Sequence, residues 1–140
     1  WGDWLQYEAP PQVESGKAGP SITAAYRCPL GRHQRQVQVD PSGLGWTIID
    51  QCSLFRHRLL LRWRLCPTDW QLQIDGATAQ LRSSQALISV ECNQPIQCLE
   101  MVEGWDSLFY AQKTTLPVLE LEVAAALTPV LITTHIVLSG

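Results

Sequence analysis

The sequence predicts an all-β fold, an antiparallel β-sandwich of stacked sheets, on three observations. Apolar residues recur with a period of two in short runs, and no window holds a helical i, i+3, i+4, i+7 stripe for three turns. The nearest to one, Leu119–Leu127, has β-branched and Pro neighbours that favour a strand. Turn residues separate the runs at regular intervals: Pro10-Pro11, Gly19-Pro20, Pro41-Ser42-Gly43, Asp75-Gly76 and Thr128-Pro129. Finally, 140 residues make one domain, which buries about 68–70% of its unfolded surface at this size. Residues 1–140 are therefore expected to form a single layered, supersandwich-like domain without internal repeats.

In chain order the expected strands are Trp4–Glu8, Ser21–Arg27, His33–Asp40, Gly45–Cys52, Phe55–Leu65, Trp70–Ile74, Ala77–Leu81, Ala86–Cys92, Ile96–Val102, Leu116–Val123 and Val130–Leu138. Gly16–Pro20 reads as the one linker-like stretch. His33–Asp40 sets Gln34, Gln36 and Gln38 against His33, Arg35, Val37 and Val39, with Arg32 continuing the Gln row. In Gly45–Cys52, as around Trp63, Trp alternates with aliphatics and reads as core. Gln71 and Gln73 alternate against Leu72 and Ile74, and Asp75-Gly76 then predicts a tight hairpin into Ala77–Leu81.

The run Phe55–Leu65 has the sharpest alternation. His57, Leu59, Leu61, Trp63 and Leu65 share one side, and Arg56, Arg58, Arg62 and Arg64 the other, interrupted only by Leu60. Half of the eight arginines sit there in a chain of net charge −3. Such a row either neutralises carboxylates or meets an anionic partner. Glu91, Glu100, Glu103, Glu120 and Glu122 are available carboxylates. Arg and Gln on neighbouring strands also suit sugars with acidic substituents, because a guanidinium grips carboxylate or sulfate in bidentate fashion.

The acidic balance argues against a general nucleic-acid binder. No apolar run is long enough for a membrane helix, and no stretch of this sequence reads as a signal peptide, so none is expected within it. Five cysteines at irregular spacing suit neither a disulfide framework nor a zinc site, and favour a reducing compartment. His33, His57, His135, Tyr7, Tyr26 and Tyr110 have no spacing that marks a catalytic set, so no catalytic residue and no metal is assigned. His57 and His135 read as packed histidines among apolar residues, while Trp1, Trp4, Trp70 and Trp105 are candidates for stacking on sugars. A chain opening on Trp1 without Met is expected to be a piece of a longer protein.

Gly19-Pro20-Ser21-Ile22-Thr23-Ala24-Ala25, then His33-Gln34-Arg35, Trp46-Thr47-Ile48-Ile49-Asp50, and His57-Arg58 through Trp63 occur in an order that is similar to a known family. With Trp105, Tyr110-Ala111-Gln112-Lys113 and Pro117-Val118-Leu119, the stretch from Gly19 to Leu138 resembles the C-terminal β-sheet domain of the heparinase II/III-like polysaccharide lyases. It departs from that pattern in having Tyr26-Arg27-Cys28 where many members have His-Asp-Gly-Tyr, and Ala111 in place of Gly.

The resemblance implies a parent with an N-terminal α/α toroid that cleaves acidic, uronate-containing polysaccharide by β-elimination. It implies that catalytic Tyr and His, and a structural metal, lie outside this chain, which itself needs no cofactor. Family members can be periplasmic or secreted, so the compartment stays open. The partners expected are the acidic polysaccharide and the toroid. Arg56, Arg58, Arg62, Arg64, Arg32, His33 and Arg35 are the expected substrate contacts. The rival expectations are a stand-alone carbohydrate-binding module and a scaffold whose arginines pair internally.

Overall fold

The computed structural model describes residues 6–76, 78–107 and 112–139. All regular structure in them is strand: β1 (Gln6–Tyr7), β2 (Gln12–Gly16), β3 (Gly19–Cys28), β4 (Gly31–Val39), β5 (Gly45–Ser53), β6 (Arg58–Arg64), β7 (Gln71–Asp75), β8 (Thr78–Arg82), β9 (Ala86–Cys92), β10 (Ile96–Asp106), β11 (Thr114–Ala124) and β12 (Val130–Leu138). Trp1, Trp4, Ala77, Tyr110 and Ala111, invoked above, lie outside the described residues.

The strands form two antiparallel sheets. The larger runs β1-β3-β4-β5-β12-β9-β8-β7, with β2 also paired to β3, and the smaller runs β10-β11-β6. The alternation turns one face of each sheet inward. Ala79, Leu81, Ile88, Val90, Val130 and Ile132 from the large sheet meet Leu65, Leu119, Leu121 and Val123 from the β6–β11 side. Leu59, Leu61 and Trp63 pack against this core, as their parity predicts.

Three features differ from the sequence expectation. Gly16–Pro20 is the tip of the β2–β3 hairpin, with Gly16 opposite Gly19, and not a linker. Strand β6 begins at Arg58, so Arg56 and His57 precede it in the connection from β5. In the β7–β8 hairpin the closing pair is Asp75 and Thr78, one step later than the Asp75-Gly76 reading, and Gly76 has φ 59°.

Three strands cannot cover nine. The smaller sheet packs over β8, β9 and β12, and its edge strand β6 ends the second layer beside β4 and β5. There Trp63 lies against Arg35, its ring centroid 5.0 Å from the guanidinium carbon. The candidate site sits at this step between the layers.

Candidate functional site

Strand β4 lies between β3 and β5, so His33 and Arg35 are in the sheet interior and not at an edge. Register pairs Tyr26 with His33, His33 with Cys52, and Arg35 with Asp50. Tyr26, His33, Arg35, Asp50 and Cys52 thus share the inward face.

Asp50 organises them. It is 1% exposed, a carboxylate placed where the alternation puts apolar groups. Its Oδ1 lies 2.5 Å from His33 Nε2 and 2.7 Å from Arg35 Nε, and its Oδ2 accepts from Arg35 Nη2 at 2.9 Å. A carboxylate only accepts, so Nε2 carries the proton. In neutral His33, Nδ1 then accepts the Tyr26 hydroxyl, 2.8 Å away. The two rings meet edge-on at 89° with centroids 5.0 Å apart.

Burial alone would raise the Asp50 carboxyl, but the hydrogen bonds from His33 and Arg35 outweigh it and hold it below its ordinary value. Burial pushes the Tyr26 phenol up, with Cys52 adding to the effect, and pushes the Cys52 thiol up to about 11. Tyr26 is therefore an oriented hydroxyl and not a phenolate. A cavity of about 280 Å³ opens beside the set, walled by Tyr26, His33 and Cys52 on one side and Phe55, Leu59 and Leu61 on the other. Leu54, at its approach, is 68% exposed and has φ 62°, a left-handed conformation that costs an L-residue energy.

The seven expected contact residues do not converge. His33 and Arg35 face inward, whereas Arg32 points to the opposite face, bonded to Glu8 at 2.8 Å and to Gln34 at 3.2 Å. On the outer face of the small sheet Arg58 pairs with Glu122 at 3.0 Å, Arg62 with Glu120, and Arg64 with Asp106 at 3.8 Å. Arg56 is exposed and has no carboxylate within 4.0 Å among the described residues. The register also sets Glu100 beside Glu120 on that face, so four carboxylates meet the three guanidiniums of β6 there.

His57 and His135 are exposed, contrary to the packed reading, and His135 meets Thr47 Oγ1 at 3.1 Å. Of the tryptophans, Trp105 is 54% exposed with Lys113 Nζ 4.6 Å above its ring, while Trp70 packs on the core.

The residue that sequence reasoning missed is Asp50, with Tyr26 beside it. The signal was an acid at the inward parity of Ile48 and Cys52, next to a strand whose His33 and Arg35 share the parity of Val37 and Val39. No group of three or more His, Cys, Asp or Glu suited to a metal occurs among the described residues. The His33–Asp50 pair does not fit a cation, since the Arg35 guanidinium already closes both carboxylate oxygens.

No family model and no curated protein matches the sequence. Among solved structures, the chain is similar to a heparinase III, at TM-score 0.66 and 16% identity over 96% of this chain and 21% of that one. It is similar to the heparan sulfate lyase HepC from Pedobacter heparinus at TM-score 0.66 and 14% identity, over 96% of this chain and 21% of that one. A further heparinase III structure aligns at TM-score 0.66 and 13% identity, over 97% of this chain and 23% of that one. The chain spans about a fifth of the length of these proteins, and it has the fold of that segment of the heparinase III structures.

Proposed function

We propose that this chain is the sheet portion of a polysaccharide lyase that cleaves acidic, uronate-containing polysaccharide by β-elimination. In this reading it braces a helical toroid and forms one wall of the substrate groove, without a complete catalytic set of its own. The observation that carries the reading is the fold match, which takes in 96% of this chain but only 21% of a heparan sulfate lyase.

The local chemistry agrees. β-Elimination needs a base at C5, a group that neutralises the uronate and an acid for the leaving oxygen. The Tyr26–His33 pair offers one oriented hydroxyl, but the charges of Arg35 and Asp50 are spent on each other. The remaining groups, and any structural metal, are assigned to the rest of the parent. Ligand contacts in this reading are Arg56 and the exposed sides of Arg58, Arg62 and Arg64, with His33 and Arg35 framing the step between sheets and Arg32 on the opposite face of the large sheet. An exposed ion pair is worth only ~0–1 kcal/mol, so a bidentate sulfate can compete for such an arginine.

A second reading is favoured by those same pairs: Arg58–Glu122, Arg62–Glu120 and Arg64–Asp106 make the arginine row a brace between strands with no ligand. Chromatography on immobilised heparan sulfate and on a neutral polysaccharide separates the two, beside an Arg58/Arg62/Arg64→Ala variant. The lyase reading expects salt-sensitive retention on the acidic matrix only, weakened in the variant, and no unsaturated uronate product by ultraviolet absorbance. Equal retention on both matrices would favour a stand-alone binding module, and none on either the brace.

A further inference from the structure

Arg82 is the strand arginine that the fold leaves without a carboxylate. Of the eight arginines, Arg27 and Arg32 pair with Glu8, Arg35 with Asp50, and Arg58, Arg62 and Arg64 with Glu122, Glu120 and Asp106. Arg82 has none within 4.0 Å among the described residues, and the only other such arginine, Arg56, precedes β6 in a connection.

Its surroundings are selective. Arg82 lies opposite Gln71, and Gln80 lies opposite Gln73, on β8 and the terminal strand β7. Ala79 and Leu81 between them are fully buried, so all four polar side chains point to the outer face of the large sheet. Directly opposed residues stand about 4.5–5.5 Å apart at Cβ, close enough to contact one ligand together. They line a groove of about 280 Å³ with Leu72.

None of these four side chains hydrogen-bonds to another described residue. Gln34, Gln38, Gln85 and Gln94, by contrast, are each bonded within the protein. The carboxylates on the same face, Asp75 and Glu91, stand at the Thr78 end of the ladder. That end is four residues from Arg82, about 13 Å at the rise of a strand. An anion at Arg82 meets no opposing charge from them.

We propose that this groove binds a carboxylate-bearing sugar unit of an acidic polysaccharide. Arg82 takes the carboxylate through its two-pronged donor set, and Gln71, Gln73 and Gln80 exchange hydrogen bonds with ring hydroxyls, each amide offering both donor and acceptor. The proposal rests on the polysaccharide-lyase reading and adds to it a contact on the sheet edge, separate from the Tyr26–His33 cavity and the small-sheet arginines.

The test is a titration of the ¹⁵N-labelled 140-residue chain with an unsulfated tetragalacturonate, with cellotetraose and inorganic sulfate in parallel. The expected result is saturable shifts of the Gln71, Gln73 and Gln80 side-chain amides and of Arg82 Nε–H, produced by the uronate alone. Arg82→Ala should weaken binding about tenfold, and Arg82→Lys should recover only part of it, because a point charge does not replace a bidentate contact. Shifts centred on Arg56, β6 or the cavity would overturn this site and leave the lyase reading standing. Equal shifts with sulfate would overturn the uronate assignment, and equal shifts with cellotetraose the role of Arg82. No shift with any probe would overturn the site, while the groove-wall reading stands or falls on retention by immobilised heparan sulfate.

Discussion

Arg35 holds Asp50 by both carboxylate oxygens, Nε to Oδ1 at 2.7 Å and Nη2 to Oδ2 at 2.9 Å, across the β4–β5 pairing. Asp50 is almost fully buried, and ionisation there is tolerable only because three donated hydrogen bonds replace water. The Trp63 ring against the guanidinium ties this pair to the edge of the small sheet. One buried acid thereby links the half of the large sheet that lacks a second layer to the half that has one.

Arg35→Ala is expected to lower stability by about 3 kcal/mol or more, since removing one partner of a buried pair strands the other charge. Arg35→Lys should recover less than half of the loss, because an ammonium cannot bond both oxygens in the same plane. Urea unfolding followed by tryptophan fluorescence measures both. A loss under ~1 kcal/mol for Arg35→Ala would mean that His33 alone satisfies Asp50.

Acid should unfold the chain through the same carboxylate. The Asp50 pKa is held below its ordinary 3.8 in the folded chain, so the unfolded state binds the proton more readily. The stability it contributes is present above the unfolded value and disappears as pH falls through the lower folded one. Urea midpoints should therefore drop between about pH 5 and pH 2. In Asp50→Asn the midpoint should be lower at neutral pH and flatter in that window. An unchanged slope in Asp50→Asn would assign the acid limb to other carboxylates.

What the sequence made legible follows from where side chains alternate. In β6 the inward Leu59, Leu61 and Trp63 and the outward Arg58, Arg62 and Arg64 were readable, because burial on one face imposes a period of two. Arg56 and His57 continue that parity by chance in a connection, where it carries no structural meaning. Strand β2 was not readable: all five of its residues are exposed, with Val13 the one apolar residue, so its pairing with β3 leaves no periodic trace. The neighbours of β12, β5 on one side and β9 on the other, are equally silent in local pattern. The same limit applied to the site. The outward arginines and Glu120 and Glu122 were visible as candidates, but only the β6–β11 register turns them into pairs.

Among the described residues the core retains one hydroxyl without a hydrogen-bond partner. Thr134 is 0% exposed, its Oγ1 has no hydrogen-bond partner among the described residues, and it lies between Ile48 and Val90 in register. Thr134→Val keeps the branched shape and removes the unsatisfied group, so stability should rise by about 1 kcal/mol. Thr134→Ser keeps the hydroxyl and loses a methyl, and should fall by about 1 kcal/mol. Thermal unfolding of the three proteins gives the order directly. A destabilised Thr134→Val would show that the hydroxyl has a bound partner, such as a buried water.

Two glycines with positive φ separate the cost of backbone conformation from that of space. Gly43 has φ 74°, and a Cβ added there meets nothing within 4 Å. Gly19 has φ 103°, and a Cβ there would stand 1.9 Å from the Val39 carbonyl oxygen and 3.1 Å from its carbonyl carbon. Both are backbone atoms of β4, which cannot turn aside as a side chain can. Gly43→Ala should therefore cost only the left-handed conformation, about 1 kcal/mol. Gly19→Ala should cost about 3 kcal/mol or more, because β3 must move away from β4 at its first pairs. Hydrogen exchange would locate the damage: protection should be lost along Ser21–Thr23 and Gln36–Gln38 and kept in β8, β9 and β12. Equal costs for the two substitutions would mean that the β3–β4 end yields without resistance, and that Gly19 is required for its φ alone.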